Sequence, residues 1–192
     1  MKRPLVTLAF FFLPYCFLGQ NELKEWEGEW KGEMLVFNNG KTTSPFKTQM
    51  RIQPSKRCKN CWDWVTSYYK DSLTEEFGVV IKDYWMEIDS IQPQNMILHE
   101  PDADGIDIFF QKNENIIMGS FSINNYDELG NEIPNEQILY YSQYQLEGDQ
   151  LRFDISYFDY DLKNFGKDEL NSNVGQLVPR GIQRSVLIRQ KK

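Results

Sequence analysis

Trp26-Glu27-Gly28-Glu29-Trp30-Lys31-Gly32-Glu33-Met34-Leu35-Val36-Phe37 is the stretch whose reading decides the fold. From Trp26 to Val36 every second residue is aromatic, glycine or aliphatic, and the residues between them up to Glu33 are charged. Successive side chains of an extended chain point to opposite faces, so this alternation describes a strand with one buried and one wet face.

The same habit recurs along the chain. Candidate strands run at 26–37, 46–53, 62–70, 77–88, 95–100, 106–112, 115–124, 137–146, 151–159 and 182–190. Turn signals separate them: Asn38-Asn39-Gly40 closes the first, Asp104-Gly105 precedes the sixth, and Gly148-Asp149 joins the eighth and ninth. A two-residue loop at Gly148-Asp149 pairs Leu146 with Leu151, Tyr144 with Phe153, Ser142 with Ile155 and Tyr140 with Tyr157 on a mostly apolar face. The other face then pairs Gln145 with Arg152, Gln143 with Asp154 and Tyr141 with Ser156. A slip of one residue would ruin both faces, so the register is specified. Around Asp83-Tyr84-Trp85 the alternation shifts by one, which predicts a bulge.

Leu23 to Trp26 reads as a short helical turn, and Phe165 to Leu170 as another inside a long polar loop over 160–181; Tyr126 to Glu136 reads as a second long loop. So many antiparallel strands joined mainly by short turns must close or stack to hide their edges. The expected fold is all-β, an antiparallel up-and-down barrel of about 8–10 strands, with a β-sandwich as the alternative.

Residues 1–19 read as a cleaved signal peptide. Lys2 and Arg3 give the positive start, Leu5 to Leu13 is apolar except for Thr7, and Gly19 suits the position before the cut at Gln20. The apolar core is too short to span a bilayer, and no later run is longer, so an integral membrane protein is not expected. A lipoprotein signal wants a small residue before Cys16, where this chain has Tyr15, so lipid anchoring is not expected. Residues 20–192 have the length of one domain with a full core. The formal net charge is −7, and an acidic surface argues against nucleic acid and anionic membranes as partners. Beyond the signal only Cys58 and Cys61 remain; in an oxidising compartment, periplasmic or extracellular, they form a local structural disulfide.

Gly28-Glu29-Trp30 resembles the Gly-x-Trp motif that opens lipocalin and other calycin barrels. The resemblance implies that Trp30 closes the barrel base, with a basic residue of the last strand across its face. Arg184 and Arg189 are the candidates, and Arg184, at the start of the terminal strand, is the preferred one. It also implies an interior able to hold a small ligand.

Catalytic machinery is hard to assemble from these residues. His99 is the sole histidine, which excludes a site built on several histidines within one chain, and no serine nucleophile motif accompanies it. Glu87, Glu100, Asp107 and Asp154 lie in or beside strands and could serve acid–base chemistry only if two of them shared a cavity. Asp102-Ala103-Asp104-Gly105-Ile106-Asp107 lacks EF-hand spacing and reads as an Asp-Gly turn; no metal or cofactor is expected. The aromatic load remains. Alternation puts Trp62, Trp64, Thr66 and Tyr68 on one side of a strand, and Tyr144 and Tyr157 on the apolar face of the hairpin. These residues are either core or the wall of a cavity. The expected function is binding of a small, mainly apolar ligand without catalysis; the alternative is a packed envelope protein that contacts a protein partner.

Overall fold

The computed structural model describes residues 22–38, 40–42, 45–70, 79–101, 106–126, 131–161 and 177–191. The signal segment, the acidic turn at 102–105 and the helical turn expected at Phe165 to Leu170 lie outside them. Among the described residues eleven strands follow a helical turn at Lys24–Trp26: β1 (Gly28–Asn38), β2 (Lys41–Thr42), β3 (Phe46–Pro54), β4 (Cys61–Tyr69), β5 (Val80–Ile88), β6 (Asn95–Glu100), β7 (Ile106–Asn113), β8 (Ile116–Tyr126), β9 (Glu132–Glu147), β10 (Gln150–Asp161) and β11 (Leu177–Arg189). Each pairs with its neighbour in chain order, except that β2 is a short flap on β1 and β3 returns to pair with β1. β11 pairs with β1 from Trp30–Arg189 to Asn38–Gly181 and closes a ten-stranded antiparallel barrel. The sandwich alternative is thereby excluded.

The β9–β10 hairpin has the expected register at every pair from Gln145–Arg152 to Tyr140–Tyr157. Gly148, with φ of +60°, occupies the turn position that needs a left-handed backbone. Two boundaries and one irregularity differ from expectation. β9 begins at Glu132, so the connection after β8 is shorter than the loop expected at Tyr126 to Glu136. β11 begins at Leu177, ahead of Pro179 and Gly181, because the pairing with β10 jumps from Tyr157–Gly181 to Phe158–Pro179 and leaves Arg180 as the extra residue of a bulge. A bulge tolerates the missing proline N–H. No bulge interrupts β5, which pairs regularly with β4 from Tyr68–Val80 to Cys61–Glu87. The alternation breaks there because Trp85 faces outward, where the Arg57 guanidinium lies 4.6 Å from its ring centroid and the His99 ring stacks at 4.8 Å.

The two ends of the barrel differ. At one end the strands are joined by tight turns and by the Cys58–Cys61 loop. There Leu23, Trp26, Trp30, Ile52, Trp62, Trp64, Met86, Ile88, Met96 and Leu151 are all buried to within a few percent. Ten strands enclose more space than eight, and four indoles are what fills it here. The opposite ends of the same strands are those joined by the longer connections at 70–79, 101–105, 127–131 and 162–176.

Candidate functional site

The base is sealed by the first strand and the last. Trp30 Nε1 donates to the Trp26 carbonyl at 3.0 Å, tying the helical turn beneath the barrel. The Arg189 guanidinium carbon lies 4.2 Å from the Trp30 ring centroid, and its Nη1 donates to the Glu27 carbonyl at 2.7 Å and its Nη2 to that of Glu25. Gly28, with φ of +150°, sits beneath the arginine, whose Cγ would be 3.6 Å from any Cβ added there. The basic residue on Trp30 is therefore Arg189, not Arg184. In an antiparallel pair the start of the first strand meets the end of the last, and Trp30 is directly opposite Arg189. Arg184 lies an odd number of residues away, hence on the outer face, and Nε pairs there with Asp154 at 3.0 Å.

Above this seal the inward side chains form two zones. The floor is aromatic and tightly packed. The Trp64 ring lies 6.1 Å from Trp26 and meets Tyr144 edge-on at 5.2 Å, and Tyr144 stacks on Phe153 at 4.5 Å. Trp62 and Trp64 have at most 1% of their surface accessible. They belong to the floor rather than to a wall.

The zone nearer the other end is less completely buried. Tyr68, Lys82, Tyr84, Ile106, Phe121, Tyr140, Ile155 and Gln183 alternate into the interior yet keep accessible surface. This half of the interior is less completely buried than the floor. Its most polar feature is an ion pair from adjoining strands: Lys82 Nζ lies 2.5 Å from Glu100 Oε1, with Glu100 nearly enclosed. Burial and, second, the Glu100 carboxylate push the Tyr68 phenol well above its ordinary value near 10. Burial does the same for Tyr144, reinforced by Tyr68 and Tyr84. Near the rim Tyr140 stacks between Phe121 at 4.9 Å and Tyr157 at 5.9 Å, and burial raises its phenol as well, partly offset by Arg180. Tyr157 is buried.

Of the residues expected to contact a ligand, Tyr68, Tyr144 and Tyr157 share this interior; Tyr140 and Tyr84, counted only within the aromatic load, join them, and Lys82 was not expected there. Lysine and tyrosine alternating at Lys82 and Tyr84 was the available signal, and the supposed bulge obscured it.

Of the four carboxylates weighed for catalysis, Glu100 alone faces the interior. Glu87 and Asp107 flank His99 on the outer face, at 3.4 Å from Nε2 and 2.6 Å from Nδ1, and Asp154 is held outside by Arg184. Two carboxylates sharing a cavity are not formed among the described residues, nor is a group of His, Cys, Asp or Glu placed to hold a metal ion. Cys58 and Cys61 are disulfide-bonded in the loop between β3 and β4, as an oxidising, exported location would favour. No described helix is long and apolar enough to cross a membrane.

No protein-family model and no curated protein matches the chain. Among solved structures the chain is similar to the crystal structure of Rv2717c from M. tuberculosis, with 12% identity over 90% of this chain and 98% of that one and a TM-score of 0.53. At that identity the likeness bears on the fold alone. The closed ten-stranded antiparallel barrel is consistent with a calycin-like architecture.

Proposed function

We propose that the exported protein is a binding barrel that holds one small, mainly apolar ligand with a single polar end, without acting on it chemically. The observation that carries this reading is the accessible surface kept by Tyr68, Lys82, Tyr84, Phe121 and Tyr140 inside a closed barrel. A barrel serving only as scaffold would bury them, as the floor buries its indoles. The apolar body of the ligand lies against Phe121, Tyr140 and Ile155, above the closed floor. Its polar end meets Lys82, Glu100 and the Tyr68 hydroxyl, where a low local dielectric strengthens each polar contact.

The test is a tyrosine and tryptophan fluorescence titration of the mature protein with fatty acids, fatty alcohols and isoprenoids. Saturable binding that weakens at least tenfold in Lys82→Met supports the reading; no response to any member of the set removes it. An alternative, a barrel acting through its outer surface on a protein partner, is favoured by an open outer groove of about 790 Å³ beside the exposed Phe109.

A further inference from the structure

Among the described residues two seams of the barrel are short, that of β5 with β6 and that of β7 with β8, with four pairs each. β7 and β8 share only the four pairs from Asn113–Ile116 to Phe110–Gly119. Beyond that point β7 continues, paired on its other side with β6 as far as Glu100–Ile106. β8 also continues, paired on its other side with β9 through Ile123–Ile138 and Asn124–Gln137. In a continued register Phe109 would face Ser120, Ile108 would face Phe121 and Asp107 would face Ser122. None of these pairs forms.

The fork lies at Gly119, where a Cβ would stand 2.5 Å from the Phe109 carbonyl oxygen, so the strands touch there and part above it. The ladder phase tells which backbone groups are left over. Lys112 N–H donates to the Gln94 carbonyl at 2.7 Å on the β6 side, so even-numbered residues of β7 bond β6. The peptide groups of Asp107, and the N–H of Phe109, therefore point at β8 without a ladder partner. Unpaired backbone groups are kept by proteins where water reaches them.

The seam also lies between an outer groove and the barrel interior. Outside it runs the open groove of about 790 Å³, whose lining includes Ile97, Phe109, Met118, Gly119, Ser120 and Tyr141. Inside, Ile106 and Phe121 are half-buried. Phe109, 68% exposed, offers an apolar surface at the outer lip.

We propose that this seam is a lateral portal, through which the ligand passes between the outer groove and the barrel interior. The proposal rests on the binding reading above. Ligand slides over Phe109 and enters by displacement of the Phe121 ring, while the pairing from Phe110 to Asn113 acts as the hinge.

The test compares wild-type mature protein with an Asp107→Cys/Ser122→Cys variant, bridged across the seam by oxidation or by a short bis-maleimide. A fluorescent fatty-acid analogue is the probe, followed by stopped-flow. The portal predicts that bridging slows both association and dissociation at least tenfold, with Kd changed less than threefold, and that reducing the disulfide restores the rates. Unchanged rates in the bridged protein overturn it, because entry is then through the end of the barrel. If wild type binds no probe, the binding reading itself has failed, and the seam is judged by hydrogen exchange. Amides of Asp107 and Phe109 exchanging at least a hundredfold faster than that of Gln111 mark an open seam, and equal protection marks a sealed one and overturns the portal.

Discussion

Replacing Arg189 by alanine tests how the barrel is closed. Three contacts are lost together. Stacking of the guanidinium on Trp30 contributes about 1 kcal/mol at a partly buried site. The two hydrogen bonds to the carbonyls of Glu25 and Glu27 contribute about 1 kcal/mol each, about 2 kcal/mol between them, less than is usual for charged donors because the side chain keeps some accessible surface. The pair with the exposed Asp149 carboxylate, at 3.3 Å, adds little. The expected cost is about 3 kcal/mol, which at an m value of about 2 kcal/mol/M moves the urea midpoint down by about 1.5 M. Arg184→Ala, which breaks only an outward pair with Asp154, should cost less than about 0.5 kcal/mol. Trp30→Leu combined with Arg189→Ala should cost about 1 kcal/mol less than the two separately, since the stacking can be lost only once. Equal costs for Arg184→Ala and Arg189→Ala, or strict additivity with Trp30→Leu, would refute the proposed closure.

Three further expectations follow from the interior and the base. Because the Tyr68 and Tyr144 phenols are held above their ordinary value near 10 in the folded state, the unfolded chain loses these protons first. Their contribution is complete below about pH 10 and is lost as pH rises toward the folded values, so urea midpoints should fall above pH 10, and less steeply in Tyr68→Phe. Lys82→Met leaves the Glu100 carboxylate enclosed without its partner; allowing for the partial exposure of Lys82, the cost should be about 1–2 kcal/mol, largely recovered in Lys82→Met/Glu100→Gln, read by the same denaturation. Cys58→Ser/Cys61→Ser should cost only about 1–2 kcal/mol, because the loop is short, and should leave the near-ultraviolet circular dichroism of the floor tryptophans unchanged.

Much of the architecture is legible in the chain because a strand's period of two is a local signal. The alternation at Trp26 to Phe37 and the two-faced register around Gly148-Asp149 both fix structure from neighbouring residues alone. What could not be read is whatever depends on which distant strands meet. Arg184 and Arg189 are indistinguishable by type, and only the antiparallel direction of β11 against β1 selects the second. Trp85 looked like a broken pattern because its coverings, Arg57 and His99, come from a loop and a strand elsewhere in sequence. Trp62, Trp64 and Tyr68 share one face of one strand, yet their depth along the barrel separates the fully buried floor from the half-buried zone above it, and depth is set by the stagger of all ten strands. The seam between β7 and β8 could not be read from the sequence: the outward Phe109 breaks the alternation of β7 and Gly119 interrupts β8, but neither says that the two strands stop pairing above that point.

The claim that the less completely buried half holds a ligand is tested most directly by native mass spectrometry of the mature protein purified from the exported fraction, beside an Ile155→Trp variant that fills the same space. The account predicts a discrete added mass of a small lipophilic molecule on wild type, released by organic solvent and absent from the folded variant. A wild-type protein that carries no added mass and takes up none when incubated with lipid extracts, or an adduct retained undiminished by Ile155→Trp, would contradict it.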